Sequence, residues 1–272
     1  MAGQSELHKQ MSTALSSRRE RGILRRPHPD AFIPLPPNSH LHSQTALASL
    51  VDFSSNDYLS LATHEPLREH FLQCLHQAPQ ILGSGGSRLL DGTCPAHLEL
   101  EHRLAHFFSS PTRPLTALLF GSGFDANAAL FSSLPQPDDT ILYDELVHAS
   151  VHDGMRASRL PRTRLVAFKH NCVRDLTAKI QDALREMNGR GTIFVALEAL
   201  YSMDGDLAPL VDICSAVETL VPTGRACIVV DEAHSTGIYG RGRGMVEHFG
   251  LWGRIHVRLH TFGKAMASSG GE

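Results

Sequence analysis

Hydrophobic positions along the chain are sparse and periodic at first, then dense and unbroken. Between residues 5 and 26, Leu7, Met11, Leu15 and Leu24 form a thin stripe in a polar segment, which predicts a polar helix. The following RRPHPDAFIPLPPNSH holds five prolines between Pro27 and Pro37. Proline removes a backbone donor and clashes with the preceding turn, so this stretch cannot be helical and reads as a loop or surface arm. From Val51 the apolar pattern becomes compact and stays so to the end of the chain. The expected organisation is an N-terminal helix and Pro-rich arm over residues 1–50, then one large domain over 51–272.

After residue 110, short apolar runs alternate with helix-length segments. The predicted strands are LTALLF (115–120), TILYD (140–144), RLVAF (164–168), TIFVALE (192–198), ACIVVDE (226–232) and VRLHTF (257–262). Amphipathic stretches lie between most of them, over 124–134, 147–158, 176–187 and 210–220. Unbroken Val/Ile/Leu runs suit strands covered on both faces. Their alternation with helices predicts an α/β fold with a mostly parallel, doubly wound sheet. Ligands of such sheets bind beyond the carboxyl ends of the strands, where Asp231, Glu198 and the Tyr143–Asp144 pair fall. The last segment, HTFGKAMASSGGE, stops in what reads as a turn after a strand. The chain is therefore expected to be C-terminally truncated, with its sheet incomplete.

Composition narrows the class. With 42% hydrophobic and 19% charged residues the chain is globular, and a net charge of -3 leaves no broad basic field for nucleic acid or an anionic membrane. No apolar run is long enough to predict a membrane span. The first residues, MAGQSELHKQMSTALSSRRERG, lack the apolar core of a signal peptide, although their Ser/Arg mix raises an organelle address as an option. Five dispersed cysteines without a CxxC pair read as reduced intracellular thiols. Seventeen histidines without HExxH or cysteine-flanked spacing predict no metal site.

Several short stretches carry possible chemistry, each with a plainer alternative. GSGGSRLLDGT (83–93) could bring backbone amides to a ligand or be a flexible turn. In LLFGSGFDANAAL a strand-like run ends, Gly121-Ser122-Gly123 turns, and a helix begins near Phe124. That is a seat for phosphate, although neither a Walker loop nor GxGxxG is present. His148, at the start of the next helix, could cap it or lay a flat ring over a planar ligand. Asp231 ends a buried strand, which is costly without a positive partner, either a protonated heterocycle or an arginine. Lys264 sits among Gly263, Ala265, Ala267, Ser268 and Ser269. A lysine desolvated in such a setting can form a Schiff base; the alternative is a surface lysine in a turn.

Taken in order, the motifs ALSSRRERGILRR, DFSSNDYLSLATHEPL, GSGGSRLLDGTCPAHLELE, SGFDANAAL, VHAS, YSMDGDLAPL, DEAHSTGIYGRGRG and TFGKA resemble the α-oxoamine synthases. These are pyridoxal 5'-phosphate enzymes of the aspartate-aminotransferase (type I) fold, and the resemblance covers nearly the whole chain. It implies that Lys264 carries the cofactor and acts as the base at the substrate Cα. Asp231 pairs with the cofactor's ring nitrogen, His234 lies near its phenolic oxygen, and His148 stacks on its ring. Ser122, Gly123, Phe124 and Thr261 hold its phosphate, and Ser202 completes its contacts. Glu198, Asn56 and Arg25 fall toward the substrate.

The implied reaction joins a small amino acid to an acyl-CoA, with release of carbon dioxide and CoA, and yields an amino ketone. Within the family, Ser87 of GSGGS and Thr236 of HSTG resemble the 8-amino-7-oxononanoate synthase branch, which joins alanine to pimeloyl-CoA in biotin synthesis. The DEAH and HTFGKAMASSGG stretches look fungal. Alternatives are a 5-aminolevulinate or serine palmitoyltransferase type, a synthase of secondary metabolism, a class I/II aminotransferase, or an inactive truncated homologue. Family members continue into a smaller C-terminal domain and form homodimers, so this chain is expected to lack that domain and, alone, to be weakly active or inactive. The implied location is intracellular, cytoplasmic or peroxisomal.

Overall fold

The unbroken apolar runs become five parallel strands in a computed structural model that describes residues 5–25, 53–110 and 113–272. The chain divides into two units, Met1–Ser55 and Asn56–Glu272. In the first, helix α1 (Glu6–Glu20) starts at Ser5, whose side chain accepts from the His8 N–H, and buries no residue. Its predicted apolar stripe, Leu7, Met11 and Leu15, is exposed. The Pro-rich arm and the expected boundary near residue 50 lie outside the described residues.

In the second unit the sheet runs β2-β1-β3-β4-β5, every neighbouring pair parallel. The strands are β1 (Thr140–Asp144), β2 (Leu165–Phe168), β3 (Ile193–Glu198), β4 (Ala226–Asp231) and β5 (Val257–Leu259). Side chains alternate across a strand. Thus Ile193, Val195 and Leu197 of β3, with Ile228 and Val230 of β4, join one core. That core also holds Leu176 and Ile180 of α6 (Val173–Glu186) and Leu210, Ile213 and Val217 of α7 (Leu210–Leu220). Phe194, Ala196 and Val229 face the opposite core with Phe131 of α4 (Gly123–Ser133) and Val151 and Met155 of α5 (Ala149–Ala157). Each of these large apolar side chains contributes about 1.5–3 kcal/mol on burial. Both faces of the sheet are therefore covered, which is why its strands read as continuous apolar runs.

Chain order turns at β1: β2 is added on one side of it and β3, β4 and β5 on the other. The carboxyl ends of β1, β3 and β4 thus lie side by side and carry Asp144, Glu198 and Asp231.

Three local outcomes differ from the sequence pattern. Helices α2 (Glu65–Gln77) and α3 (Pro95–Phe108) form in segments to which the pattern assigned no element. Both carry a proline in the first turn, where a missing N–H costs nothing. The strand expected over 115–120 does not form: Phe120 makes only an isolated antiparallel bridge with Gly271. The Leu115 N–H donates to Ser109 Oγ (2.9 Å) and the Leu119 N–H to Glu101 Oε1 (2.8 Å), so side chains take amides that a ladder would use. Helix α8 (Met245–His248) is a single turn that follows the β4 loop.

Candidate active site

The acids at the strand ends do different work. Asp231 Oδ1 accepts the Ala233 N–H (2.9 Å), and its Oδ2 accepts from Asn127 Nδ2 (2.7 Å). Among the described residues no arginine pairs with it, so the arginine alternative does not apply. Its neighbour Glu232 turns the other way and is fully buried. It accepts the N–H groups of Met245 (2.8 Å) and Val246 (2.9 Å), which caps α8, and it also accepts from Ser235 Oγ. Of the two acidic residues that end this run, one faces a cavity and the other ties down a loop.

The cavity beyond the strands encloses about 190 Å³. Ser122, Gly123, Phe124 and Asn127 of the α4 segment line it, with His148 and Ser150 of the α5 start. Glu198, Asp231, Ala233, His234, Thr261 and Lys264 complete the wall. At the α4 N-terminus, Ser122 Oγ caps the helix by accepting the Asp125 N–H (3.0 Å). Gly123 is required there because a Cβ would collide with Thr261 Oγ1. That close approach brings the amides of a helix N-terminus and a threonine hydroxyl to one end of the cavity, an anion seat.

His148 caps α5, its Nδ1 accepting the Ser150 N–H (3.2 Å) and lying 2.7 Å from Ser150 Oγ. It also presents its ring to the cavity, edge-on to Phe124 with centroids 6.0 Å apart. Asn127 Nδ2 supplies one hydrogen to Ser150 Oγ (3.1 Å) and one to Asp231 Oδ2, so a single amide orients both the His148 and the Asp231 sides of the site. Its Oδ1 is buried without a partner.

Lys264 Nζ lies 2.8 Å from His234 Nε2. Burial lowers the proton affinity of Lys264, against the pull of Asp231 and Glu198. His234 is pushed down to about 4 by burial and then by the Lys264 charge, so its imidazole is neutral. Its Nδ1 lies 2.7 Å from Tyr58 Oη, which donates to Asn56 Oδ1 (3.0 Å). The donors assign one direction: Lys264 N–H to Nε2, Nδ1–H to Tyr58, and Tyr58 O–H to Asn56. Glu198 pairs in register with Asp231 across β3 and β4. Burial, then the Asp231 charge, raises it to about 8.

The sequence-derived candidates therefore divide. Lys264, Asp231, His234, His148, Ser122, Gly123, Phe124, Thr261 and Glu198 line one cavity, and Asn56 reaches it through Tyr58. Ser202 does not: it is exposed in the turn after β3, which closes with the Gly205 N–H on the Tyr201 carbonyl (3.0 Å). Arg25 is exposed in the N-terminal unit. Thr236 is buried against the Glu232 carbonyl (2.7 Å) and His260 Nδ1 (2.8 Å), so any influence on substrate passes through packing. The 83–93 glycine loop folds on itself: a Cβ on Gly92 would strike the Gly86 carbonyl, and its Arg88 bonds Glu101 Oε1 (2.8 Å) and the Leu119 carbonyl (3.3 Å). Asn127, Ser150 and Tyr58 went unassigned in the sequence, although they stand inside the motifs SGFDANAAL, VHAS and DFSSNDYLSL.

A parallel α/β sheet with this cavity at its carboxyl edge defines a type I pyridoxal-phosphate fold, and the chain belongs to the aminotransferase class I and II family, whose model matches residues 48–271. Among its relatives is an 8-amino-7-oxononanoate synthase from Emericella nidulans, 49% identical over 230 residues, which cover 82% of this chain and 54% of that protein. The aminoacyl transferase sphA of Byssochlamys spectabilis is 43% identical over 228 residues, covering 82% of this chain and 47% of the relative. A serine palmitoyltransferase structure from S. paucimobilis, holding a pyridoxal phosphate–myriocin adduct, superposes with a TM-score of 0.67 at 30% identity and covers 80% of this chain and 51% of its own. The chain thus spans about half the length of these relatives.

Pyridoxal 5'-phosphate is the cofactor of this family. The residues here fit it on three structural grounds. Gly123 lets the Thr261 hydroxyl pack against the α4 N-terminus, which gathers the donors of an anion seat. Asp231 is a buried carboxylate with no arginine partner among the described residues. Lys264 is a half-buried amine whose proton affinity burial lowers, which suits attachment to a carbonyl. No described helix is long and apolar enough to cross a membrane.

Proposed function

We propose that this chain carries the catalytic centre of a pyridoxal-phosphate-dependent α-oxoamine synthase. It joins L-alanine to pimeloyl-CoA, releases carbon dioxide and CoA, and yields an amino ketone, as in biotin synthesis. The observation that carries this reading is the convergence of Asp231, His148, Lys264 and the α4 N-terminus with Thr261 on one cavity. The Emericella nidulans relative supports the substrate pair.

When bound, the cofactor supplies an electron sink for a carbanion at the substrate Cα. Asp231 would hold the ring nitrogen protonated, and Asn127 orients its carboxylate. His148 would lie against the ring. Gly123, Phe124, Ser122 and Thr261 seat the phosphate. Lys264 would hold the carbonyl end and would move the Cα proton, a role its lowered proton affinity favours. His234, fixed by Tyr58, would face the ring oxygen. Glu198 and Asn56 belong to the substrate side, whereas Ser202 and Arg25, which do not line the cavity, carry no role in this proposal.

The chain is expected to bind added pyridoxal phosphate with a visible absorbance band, and borohydride should fix the label on Lys264. Whatever turnover it shows with alanine and pimeloyl-CoA, expected to be weak for this chain alone, should release CoA and carbon dioxide together. A folded protein with no band would remove the enzyme reading altogether. Amino transfer that needs an oxo-acid acceptor and frees no CoA would make it an aminotransferase. One second reading has its own support: the likeness to the S. paucimobilis structure favours serine with a longer acyl-CoA, and the same assay run with that pair decides between them.

Assembly as a homodimer belongs to the same proposal. Leu82, Leu89 and Leu90 are 82%, 92% and 76% exposed, more apolar surface than one loop ordinarily leaves in water. Sedimentation at micromolar concentration is expected to give a dimer, and a monomer would remove this part of the proposal.

A further inference from the structure

A second polar cluster lies at the ends of β1 and β2, outside the cavity wall. His170 Nδ1 is 2.8 Å from Asp144 Oδ1 and its Nε2 is 2.7 Å from Asp206 Oδ2. A neutral imidazole has one N–H and can serve one carboxylate only; both contacts are met when both nitrogens carry protons. Asn171 Nδ2 also lies 3.2 Å from His170 Nε2, but its two hydrogens have acceptors elsewhere, at Asp206 Oδ2 (2.7 Å) and the Leu207 carbonyl (3.3 Å). The His170 ring stands edge-on to Tyr201, with centroids 4.5 Å apart.

The two carboxylates belong to segments that serve the site. Asp144 is buried at the end of β1, and its Oδ1 also accepts the Leu146 N–H (3.0 Å), two residues before His148. Its Oδ2 accepts the Asn171 N–H (2.8 Å). Asp206 closes the turn that carries Ser202, its carbonyl accepting the Tyr201 N–H (3.0 Å). One imidazole therefore ties the end of β1, the approach to His148 and the turn after β3 to each other.

We propose that His170 is a positioning residue: by clasping Asp144 to Asp206 it fixes the 201–207 turn and the segment that leads into His148. Its relevance to the cofactor rests on the function proposed above; the clasp itself does not. Asp144, Asp206 and Tyr201 face the ring, Glu145 accepts the His170 backbone N–H (2.9 Å), and Glu198 lies behind Tyr201, its N–H 3.4 Å from the phenol. Burial alone would lower the proton affinity of His170, and the bonds to Asp144 and Asp206 outweigh it and raise it. A raised histidine gives its full stabilisation below its ordinary titration range and loses it as pH rises through the raised value. The clasp therefore opens on the alkaline side.

The test uses the full chain without cofactor. Ring ¹⁵N shifts of His170 are expected to show both nitrogens protonated at neutral pH. His170→Ala should speed deuterium exchange over 201–207 by about tenfold or more, as for loss of a charge-assisted hydrogen bond, and leave β3 and β4 unchanged. It should also remove the alkaline step in exchange that the parent shows. Asp206→Asn should raise the same exchange and return His170 to a single-proton ring, which covers the case where His170→Ala does not fold. In a separate titration, half-saturation by pyridoxal phosphate should rise several-fold in either variant. A neutral His170 ring in the parent, or unchanged exchange over 201–207 in the folded variants, overturns the clasp. A parent that binds no pyridoxal phosphate overturns the functional reading and leaves the exchange and nitrogen results to decide the clasp alone.

Discussion

Lys264→Ala is expected to abolish covalent capture of pyridoxal phosphate and to slow solvent exchange of the alanine Cα proton by about 10²–10⁴-fold, the range spanned by positioned acid–base groups. The exchange assay needs only the amino acid and the cofactor, so it reads the lysine without the acyl-CoA half of the reaction. The expectation follows from geometry. Among the described residues Lys264 is the one cavity-lining lysine, its amine meets a neutral imidazole, and burial keeps it readier to lose its proton than a surface lysine. Lys264→Arg separates charge from chemistry. Arginine keeps a cation beside Asp231 and Glu198 but stays protonated and cannot take over either role. Both variants should lose label and exchange alike while their unfolding midpoints stay close to the parent. Trapped label elsewhere than residue 264, or exchange retained in Lys264→Ala, would falsify the role given to this amine.

The fold was legible because burial on both faces leaves a local mark. The runs at 140–144 and 210–220 became β1 and α7 with the same bounds, since successive strand residues meet one core or the other and one stripe of the helix meets a core. The same logic misled at 115–120, where the composition is that of a covered strand. What decides that segment is distant: the side chains of Ser109 and Glu101 take its amides. Helices α2 and α3 escaped for the opposite reason. Leu67, Phe71 and Leu75 of α2 and Leu98 and Leu100 of α3 are exposed, so their apolar spacing marks no buried stripe in this chain.

The site was legible where chemistry forces unusual residues into unusual places. A carboxylate at the end of β4 and a lysine among small residues are both costly, and both meet at the cavity. Glu232 shows the limit of that logic: it looks equally costly in sequence, yet backbone N–H groups of α8 satisfy it and it holds a loop. Asn127, Ser150 and Tyr58 were not legible at all. Each acts through hydrogen bonds to residues distant in sequence, Asn127 to Ser150 and Asp231 and Tyr58 to His234, and nothing local distinguishes such an asparagine, serine or tyrosine from an ordinary packed one.

Asp231→Asn is expected to weaken pyridoxal phosphate binding by roughly 10²–10³-fold, the effect of stripping one partner from a buried ion pair. The cofactor-free protein should respond through pH. Glu198 and Asp231 stand side by side at the strand ends, and burial together with the Asp231 charge lifts Glu198 to about 8. A carboxyl raised on folding binds its proton in the native state while the unfolded chain has released it. Between the ordinary glutamate range and about 8, stability therefore falls as pH rises, by up to about 1.4 kcal/mol per pH unit for one proton. Without the neighbouring charge Glu198 should titrate lower, so the slope flattens in Asp231→Asn and vanishes for this group in Glu198→Gln. The asparagine can accept from only one of Ala233 N–H and Asn127 Nδ2, so absolute stability should drop by about 1–3 kcal/mol even as the slope relaxes. Cofactor in the cavity should relax the parent's slope as well, because a protonated ring nitrogen facing Asp231 offsets its charge on Glu198. Denaturant titrations from pH 5 to 8, with and without pyridoxal phosphate, check all three. Equal slopes in the parent and both variants would mean that Glu198 and Asp231 do not share charge at the head of this sheet.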